Sequence, residues 1–315
     1  MHNPLQVLKH YWGYDGFRPG QAEVIDSILS GHDTLALMPT GGGKSITFQV
    51  PALANPGICL VVSPLVALMK DQVKNLQKRG ILSAFISSEM PHWEILQQLD
   101  NCILGDYKFL YISPERISSE LFQEKLKTLS RKVNLLVVDE AHCISQWGND
   151  FRRDYRLIAD IRDVIPHVQV IAVTASATAA VVADICEQLH FRKGYRIFKT
   201  SFERKNLSFV VRKTDNKLKE ICHILSAVPG SAVIYSRTRK GVEEYAGKLR
   251  AAGISAEYFH AGLDPVLKTE RQADWVKGFT RVLVATNAFG MGIDKGDVRV
   301  VIHTEFPDSM EAYYQ

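Results

Sequence analysis

Three features that mark particular protein classes are missing from this sequence: long apolar runs, closely spaced cysteines and a large excess of one charge. No stretch approaches the ~18 consecutive apolar residues of a membrane-spanning helix, so no membrane partner is expected. The five cysteines contain no CxxC pair, which argues against a zinc site or a disulfide framework and predicts a reducing, cytoplasmic setting. A formal net charge of +4 is compatible with nucleic acid binding but does not indicate it alone.

The sequence does contain enough apolar side chain for two cores, since its 315 residues are 46% hydrophobic. Short apolar runs (TLALM, ICLVVS, KFLYIS, NLLVVDE, VQVIAVTA) alternate with amphipathic stretches, and a second series (SAVIYSR, SAEYFHA, RVLVATN, VRVVIHTEF) follows. This alternation predicts parallel strands joined by crossover helices. We therefore expect two α/β lobes in tandem, over residues 1–195 and 217–315, with a linker over residues 196–216.

A glycine-rich turn, MPTGGGKS, lies between the first predicted strand and a helix. Its glycines let backbone N–H groups surround phosphate oxygens, and the helix N-terminus adds partial positive charge. Lys44 would reach the β and γ phosphates of a nucleotide, and the hydroxyl of Ser45 would help to hold Mg²⁺. Alone, a glycine-rich turn with a solvated lysine is the alternative. The candidate nucleotide-binding residues here are Met38, Pro39, Thr40, Gly41, Gly42, Gly43, Lys44 and Ser45.

Two carboxylates, Asp139 and Glu140, follow a later buried strand. Beside a phosphate site, Asp139 can hold Mg²⁺ and Glu140 can orient and deprotonate the attacking water. Lys44, Asp139 and Glu140 are therefore the predicted catalytic residues, although solvated acids at a strand end are the alternative. The segment AVTASAT (172–178) is interpreted as an ordinary strand end whose hydroxyls cap the next helix.

Several ordered motifs together resemble the helicase core of the RecQ family of superfamily 2 DNA helicases. The motifs are GYDGFRPGQ, MPTGGGKS, SPLVALMKDQ, YISPER, DEAHCISQWGNDFRRDY and ATNAFGMGIDK. In this family, Met is normal at the first position of the P-loop. The resemblance implies two RecA-like P-loop lobes, ATP and Mg²⁺ as cofactors, and ATP-driven translocation on single-stranded DNA with 3′-to-5′ polarity. It also implies unwinding of duplex DNA in recombination and repair.

The resemblance assigns further contacts with the nucleotide. Tyr14, Arg18 and Gln21 would bind the adenine, and Asp294 would face the ribose. An amide side chain can pair with adenine N6 and N7, which suits Gln21 chemically.

Aromatic and arginine residues alternate directly after the predicted catalytic acids. Trp147 and Phe151 could stack on unpaired bases and Arg152 could neutralise a phosphate, whereas Tyr155 can equally be a core residue. The resemblance implies that this loop couples DNA binding to hydrolysis, with His142 linking it to the nucleotide. It also makes Arg237 and His260 of the second lobe candidates for contact with the DNA backbone, although such residues are often ordinary surface residues.

The sequence departs from the family pattern near Gln315, where the glycine- and arginine-rich motif of the family would begin. Since an arginine finger is worth roughly 10³–10⁵ in rate, we expect this chain alone to be impaired, with an incomplete second sheet. The expected partners are single-stranded and partially duplex DNA, with a single-strand-binding protein or repair factors. If the source is bacterial, nucleoid association is expected. A catalytically silent nucleic-acid-binding fragment and an RNA helicase of the DEAD/DEAH type are the alternatives.

Overall fold

Parallel strands alternate with helices along the chain, as the apolar runs predict. The computed structural model describes residues 3–39, 41–145, 152–201, 206–287, 289–290, 295–307 and 313. The chain divides into two compact units between residues 204 and 205. Among the helices of the described part, none combines the length and apolar character that crossing a membrane requires.

The first unit contains one seven-stranded parallel sheet, in the order β3-β4-β2-β5-β6-β1-β7. Its strands are β1 (Thr34–Leu37), β2 (Ile58–Val62), β3 (Ser83–Ile86), β4 (Phe109–Ile112), β5 (Val133–Val138), β6 (Val170–Thr174) and β7 (Arg196–Lys199). Its helices are α1 (Pro4–Trp12), α2 (Gln21–Leu29), α3 (Lys44–Ala54), α4 (Val66–Gln77), α5 (His92–Leu104), α6 (Glu120–Leu129), α7 (Ile158–Val164) and α8 (Ala179–Gln188).

Both faces of this sheet are covered, because successive side chains of a strand point to opposite faces. In β1, Leu35 and Leu37 join one apolar cluster, whereas Ala36 and the following Met38 join the other. A strand buried on both sides needs apolar residues at every position, which explains the continuous apolar runs of the sequence. The carboxyl ends of the central strands are therefore the places where polar side chains can emerge.

The second unit has a smaller parallel sheet, with the order β11-β8-β10-β9. Its strands are β8 (Ser231–Tyr235), β9 (Ala256–Phe259), β10 (Val282–Ala285) and β11 (Val298–His303), and its helices are α9 (Lys217–Ala227), α10 (Arg239–Ala251) and α11 (Pro265–Lys277). The central strand β10 repeats the alternation of β1, since Val282 and Val284 face one cluster and Leu283 and Ala285 the other. The predicted fold class of two parallel-sheet α/β lobes is confirmed.

The predicted linker over residues 196–216 begins too early. Residues 196–199 form β7, which pairs in parallel with β1 from Thr34 to Leu37 and so belongs to the first sheet. Its neighbours complete the ladder, since the N–H of Thr200 donates to Leu37 O at 3.0 Å. Because β7 is an edge strand with mostly exposed side chains, its residues do not form the continuous apolar run that marked the other strands.

Candidate functional site

Three neighbouring strands of the first sheet, β5, β6 and β1, end at one edge and deliver the candidate residues there. Asp139 and Glu140 follow β5, Thr174 ends β6, and the glycine-rich turn follows β1. Loops at the carboxyl ends of parallel strands are where α/β sheets bind ligands. The topology therefore brings together motifs that are far apart in the sequence.

The glycine-rich turn has a backbone that only glycine adopts without strain at two positions. Gly41 and Gly43 have φ values of 78° and 79°, in the left-handed region. Gly43 is also the N-cap of α3, and a Cβ atom there would collide with Nε2 of Gln21. The turn thus enters α3 with the helix N-terminus directed at the site, as a phosphate cradle requires.

The segment before β1 braces this turn. Arg18 Nη1 donates to Gly41 O at 2.8 Å, and Gln21 Nε2 donates to Gly43 O at 3.1 Å. Gln21 Oε1 accepts from the N–H of Arg18 at 2.8 Å. Both ends of the Gln21 amide are therefore engaged within the protein, and the buried side chain holds the turn in this structure. Tyr14 is 53% exposed, so its ring is accessible for stacking.

The side chain of Met38 belongs to the core, which limits the predicted nucleotide contact of this residue to its backbone. It is 1% exposed and packs in the apolar cluster that includes Ala36 and Phe48. Its position continues the alternation of β1, which explains why a large apolar residue stands where other P-loops have glycine. Thr40 lies outside the described residues.

The catalytic candidates from α3 and β5 meet in space. Lys44 Nζ lies 3.8 Å from Glu140 Oε1, and both side chains are largely buried. Ser63 Oγ donates to Asp139 Oδ2 at 3.3 Å, and the N–H of Glu140 donates to Asp139 Oδ1 at 3.0 Å. The sequence prediction that Lys44 and the two acids share one site therefore agrees with this geometry.

Glu140 has an unusual backbone, with φ 47° and ψ 47°. A non-glycine residue in this left-handed region costs of order 1–3 kcal/mol and persists where the surroundings over-determine it. Here, the ion pair with Lys44 and the short 3₁₀ helix Ala141–Ile144 that follows fix the orientation of Glu140.

The two acids create a strongly negative point at the end of β5. Burial, and then the charge of Glu140, raise the pKa of Asp139 to about 6, although Lys44 counteracts them. A buried carboxylate with a raised pKa beside a second acid is stabilised in its charged form by a cation. The carboxylate of Asp139 and the hydroxyl of Ser45 are oxygen donors, the type that Mg²⁺ prefers, so this donor set fits the ion.

A hydrogen bond joins His142, two residues after Glu140, to β6, and sequence reasoning missed it. His142 Nδ1 lies 2.9 Å from Thr174 Oγ1 and 3.5 Å from Glu140 Oε2. Thr174 belongs to the AVTASAT segment, which we interpreted as an ordinary strand end. The available signal was its position, since a hydroxyl that ends a buried strand next to the strand of the acids is well placed to contact them.

The loop after the acids is only partly described. Trp147 and Phe151 lie outside the described residues. The N–H of Arg152 donates to Cys143 O at 2.8 Å, and its Nη1 donates to Pro64 O at 3.2 Å. Tyr155 is fully buried and donates its hydroxyl to Asp139 O at 2.9 Å, so the core interpretation of Tyr155 is confirmed.

The second-unit candidates are arranged differently. Asp294 lies outside the described residues. Arg237 is exposed and donates from Nη2 to Phe306 O at 2.8 Å. His260 is only 5% exposed, and its Nε2 lies 3.0 Å from Glu243 Oε1. The predicted DNA contact of His260 does not fit this burial, because the ring packs beside Tyr258 instead of facing solvent.

Two family models match the chain. Residues 18–185 match the DEAD/DEAH box helicase family, and residues 216–315 match the helicase conserved C-terminal domain. Together they correspond to the two units that the structure shows.

Individual proteins agree with these matches. The ATP-dependent DNA helicase RecQ of Bacillus subtilis is 42% identical over 318 residues, which cover 100% of this chain and 53% of the relative. A relative from Acanthamoeba polyphaga mimivirus, whose name contains the words RNA helicase, is 39% identical and covers 98% of this chain and 56% of its own length.

The solved structure of a Mycobacterium smegmatis helicase bound to single-stranded DNA and AMP-PNP superposes with a TM-score of 0.72 at 18% identity. The superposition covers 99% of this chain and 46% of that protein, and at this identity it shows the fold alone. The chain spans about half the length of the first curated relatives that it matches.

Proposed function

Because this chain belongs to the DEAD/DEAH box helicases and has a core of the RecQ type, we propose that it hydrolyses ATP to drive movement along single-stranded DNA. The observation that carries this proposal is the 3.8 Å approach of Lys44 to Glu140, which joins the glycine-rich turn and the DEAH segment. The similarity to RecQ helicases extends the proposal to 3′-to-5′ unwinding of partially duplex DNA in recombination and repair.

Lys44 and the glycine turn bind the phosphates. On nucleotide binding, Lys44 Nζ exchanges its contact with Glu140 for the β and γ phosphate oxygens, while backbone N–H groups at the start of α3 surround them. The released Glu140 carboxylate then orients the attacking water and accepts its proton. In this proposal, the ion pair seen here is the resting arrangement of the site.

Asp139 and Ser45 would hold Mg²⁺, which neutralises phosphate charge when it is bound. Ser63 orients the carboxylate for that purpose by donating to Asp139 Oδ2. The adenine would stack on Tyr14 and Arg18. Gln21 would read the base only if it gave up its bonds to the glycine turn.

The hydrogen bond between His142 and Thr174 provides a route from hydrolysis to DNA. His142 Nδ1 lies near both Glu140 Oε2 and Thr174 Oγ1, and the residue precedes the aromatic-rich loop. A shift of Glu140 during the reaction would therefore move His142 and, with it, the start of that loop. Within it, Trp147, Phe151 and Arg152 are the proposed DNA-contacting residues, with Arg237 in the second unit.

Steady-state ATP hydrolysis of the full-length protein, with and without a single-stranded oligodeoxynucleotide, tests this function. We expect strong stimulation by DNA and loss of nearly all activity in Lys44→Ala, with Lys74→Ala, an exposed lysine of α4 outside the family motifs, as the matched control. If wild type and Lys44→Ala hydrolyse ATP equally slowly, the protein is a nucleic-acid-binding module instead.

The same assay with an oligoribonucleotide of matched sequence distinguishes the DNA helicase from the RNA helicase. The mimivirus relative is the observation that favours this second candidate. We expect DNA to stimulate hydrolysis more than RNA. The reverse order would move the proposal to the RNA helicase.

A further inference from the structure

A second contact holds the segment that leads from the catalytic acids into the aromatic-rich loop. Ser145, the last described residue before that loop, is fully buried. Its Oγ donates to Asp184 Oδ2 at 2.5 Å, and the other carboxylate oxygen accepts from Gln188 Nε2 at 3.3 Å. A hydrogen bond to a carboxylate is roughly twice as strong as one between neutral groups.

Ser145 and His142 are bound to the same part of the fold. His142 contacts Thr174 at the end of β6, and Asp184 lies on α8, which begins five residues after Thr174, at Ala179. The helix is held at its start by the N-cap Thr178, whose side chain accepts from the N–H of Val181. The segment with His142 and Ser145 is thus fastened to one strand-and-helix unit at two points.

The far side of the loop is fastened at two places. The N–H of Arg152, the first described residue after it, donates to Cys143 O, and its Nη1 donates to Pro64 O, in the connection between β2 and α4. The exit is therefore tied both to the entry segment and to the β2–α4 connection, whereas β6 and α8 hold the entry. A change at His142 can move the entry only together with α8, because Ser145 is bonded to that helix.

We infer that Ser145 and Asp184 are positioning residues for the start of the aromatic-rich loop. When Glu140 shifts during the reaction and His142 moves with it, these two residues transmit the movement to the loop. The inference rests on the proposed function, since it assigns these residues to the coupling of hydrolysis to DNA. It requires neither residue to contact nucleotide or DNA. Their removal should therefore spare basal hydrolysis and reduce its stimulation.

The experiment is a double-mutant cycle on the full-length protein with Ser145→Ala, Asp184→Ala and the combination. Basal and DNA-stimulated ATP hydrolysis are measured for each protein, together with its melting temperature. We expect each single variant to lower the stimulation ratio about tenfold, the equivalent of one charge-assisted hydrogen bond. The double variant should lose no more than either single variant, because the two residues act as one unit.

Gln188→Ala is the matched control, since it removes the contact to the other oxygen of Asp184 and leaves Ser145 untouched. Its stimulation ratio should equal that of wild type. The inference is overturned if Ser145→Ala and Asp184→Ala retain the wild-type ratio, or if basal and stimulated rates fall in parallel as in simple destabilisation. If wild type itself shows no stimulation by DNA, the proposed function fails first, which separates the two cases.

Discussion

The two units use the carboxyl ends of their central strands differently. In the first unit, side chains at these ends contact other side chains: Lys44 meets Glu140, and His142 meets Thr174. In the second unit, they mainly hold the backbone, since Tyr235 donates its hydroxyl to Phe289 O at 2.9 Å and Arg237 donates to Phe306 O. Among the described residues, the first unit therefore brings side chains together at these strand ends, whereas the second uses them to hold main-chain carbonyl groups.

The two units also differ in where their ion-paired carboxylates lie. Asp33, just before β1, is fully buried and receives hydrogen bonds from Arg162, Arg192 and the N–H of Val170. Burial alone would raise the pKa of Asp33, but these hydrogen bonds outweigh it and the pKa is lowered. In the second unit, the side chain of Asp297 is 54% exposed, although that of its partner Lys295 is only 7% exposed. The carboxylate of the ion pair is thus buried in the first unit and exposed in the second.

The largest expected effect comes from Glu140→Gln, which keeps the shape of the side chain and removes its ability to accept a proton. We expect ATP hydrolysis to fall by ~10²–10⁴, the usual contribution of a general base, with nucleotide binding retained. The comparison variant is Arg237→Ala in the second unit, which should weaken DNA binding and leave the basal rate alone. If Glu140→Gln and Arg237→Ala lost basal hydrolysis equally, the proposal that the two units have different roles would be wrong.

A stability effect of similar size is expected at Asp33. Asp33→Asn leaves the buried guanidinium of Arg162 without its charge partner, which should cost about 3–5 kcal/mol in the free energy of unfolding. Denaturant titration measures this loss, with Asp297→Asn as the matched acid of the second unit. Should Asp297→Asn destabilise the protein as much as Asp33→Asn, the contrast in buried charge would be wrong.

Two hydroxyl deletions compare the units directly. Thr174→Val removes a partner of His142, and Tyr235→Phe removes the bond to Phe289 O. Each deletion should cost about 0.5–1.5 kcal/mol in the free energy of unfolding, so both should lower the melting temperature. We expect only Thr174→Val to lower DNA-stimulated hydrolysis as well, up to about tenfold. A loss of stimulation in Tyr235→Phe, or its retention in Thr174→Val, would contradict the comparison.

The smallest expected effect is a difference in pH dependence. Burial lowers the pKa of His303, which stacks on Tyr235 in the second unit. The unfolded chain therefore takes up a proton first as the pH falls below 6.5, the ordinary value, and stability is lost from that point downwards. The contribution of Asp33 has the same sign, but it is fully present above pH 3.8 and is lost only as the pH falls through the lowered pKa.

Melting curves between pH 7.5 and pH 5 test this difference in the wild type and in His303→Phe. The phenylalanine keeps the stacking on Tyr235 and removes the titration. We expect the melting temperature of the variant to fall less on acidification. Identical pH dependence of both proteins would show that His303 does not contribute.

The sequence was sufficient for the sheet architecture and for the position of the candidate residues in it, because both leave local patterns. Lys44, Asp139 and Glu140 stand at the ends of apolar runs, so their places at the edge of a parallel sheet could be predicted. The bond between Thr174 and His142 and the bracing of the glycine turn by Gln21 could not be predicted in this way. They depend on which strands become neighbours and on which side chains become buried, and neither has a periodic signal.

The differences between the expectations and the structure have the same origin. Met38 was assigned to the nucleotide from its place in the motif, but the alternation of β1 directs its side chain into the core. His260 was assigned to DNA from a similar resemblance, and its burial beside Glu243 could be seen only once β9 and α10 were packed together. The residues of β7 were assigned to the linker because an edge strand needs no continuous apolar run.

The left-handed backbone of Glu140 has a consequence for how this site can change over time. At that position a glycine would adopt the backbone without strain, so a substitution that relaxes the main chain there also removes the carboxylate that we propose as the general base. Greater local stability and the proposed catalysis therefore make opposite demands on this one residue.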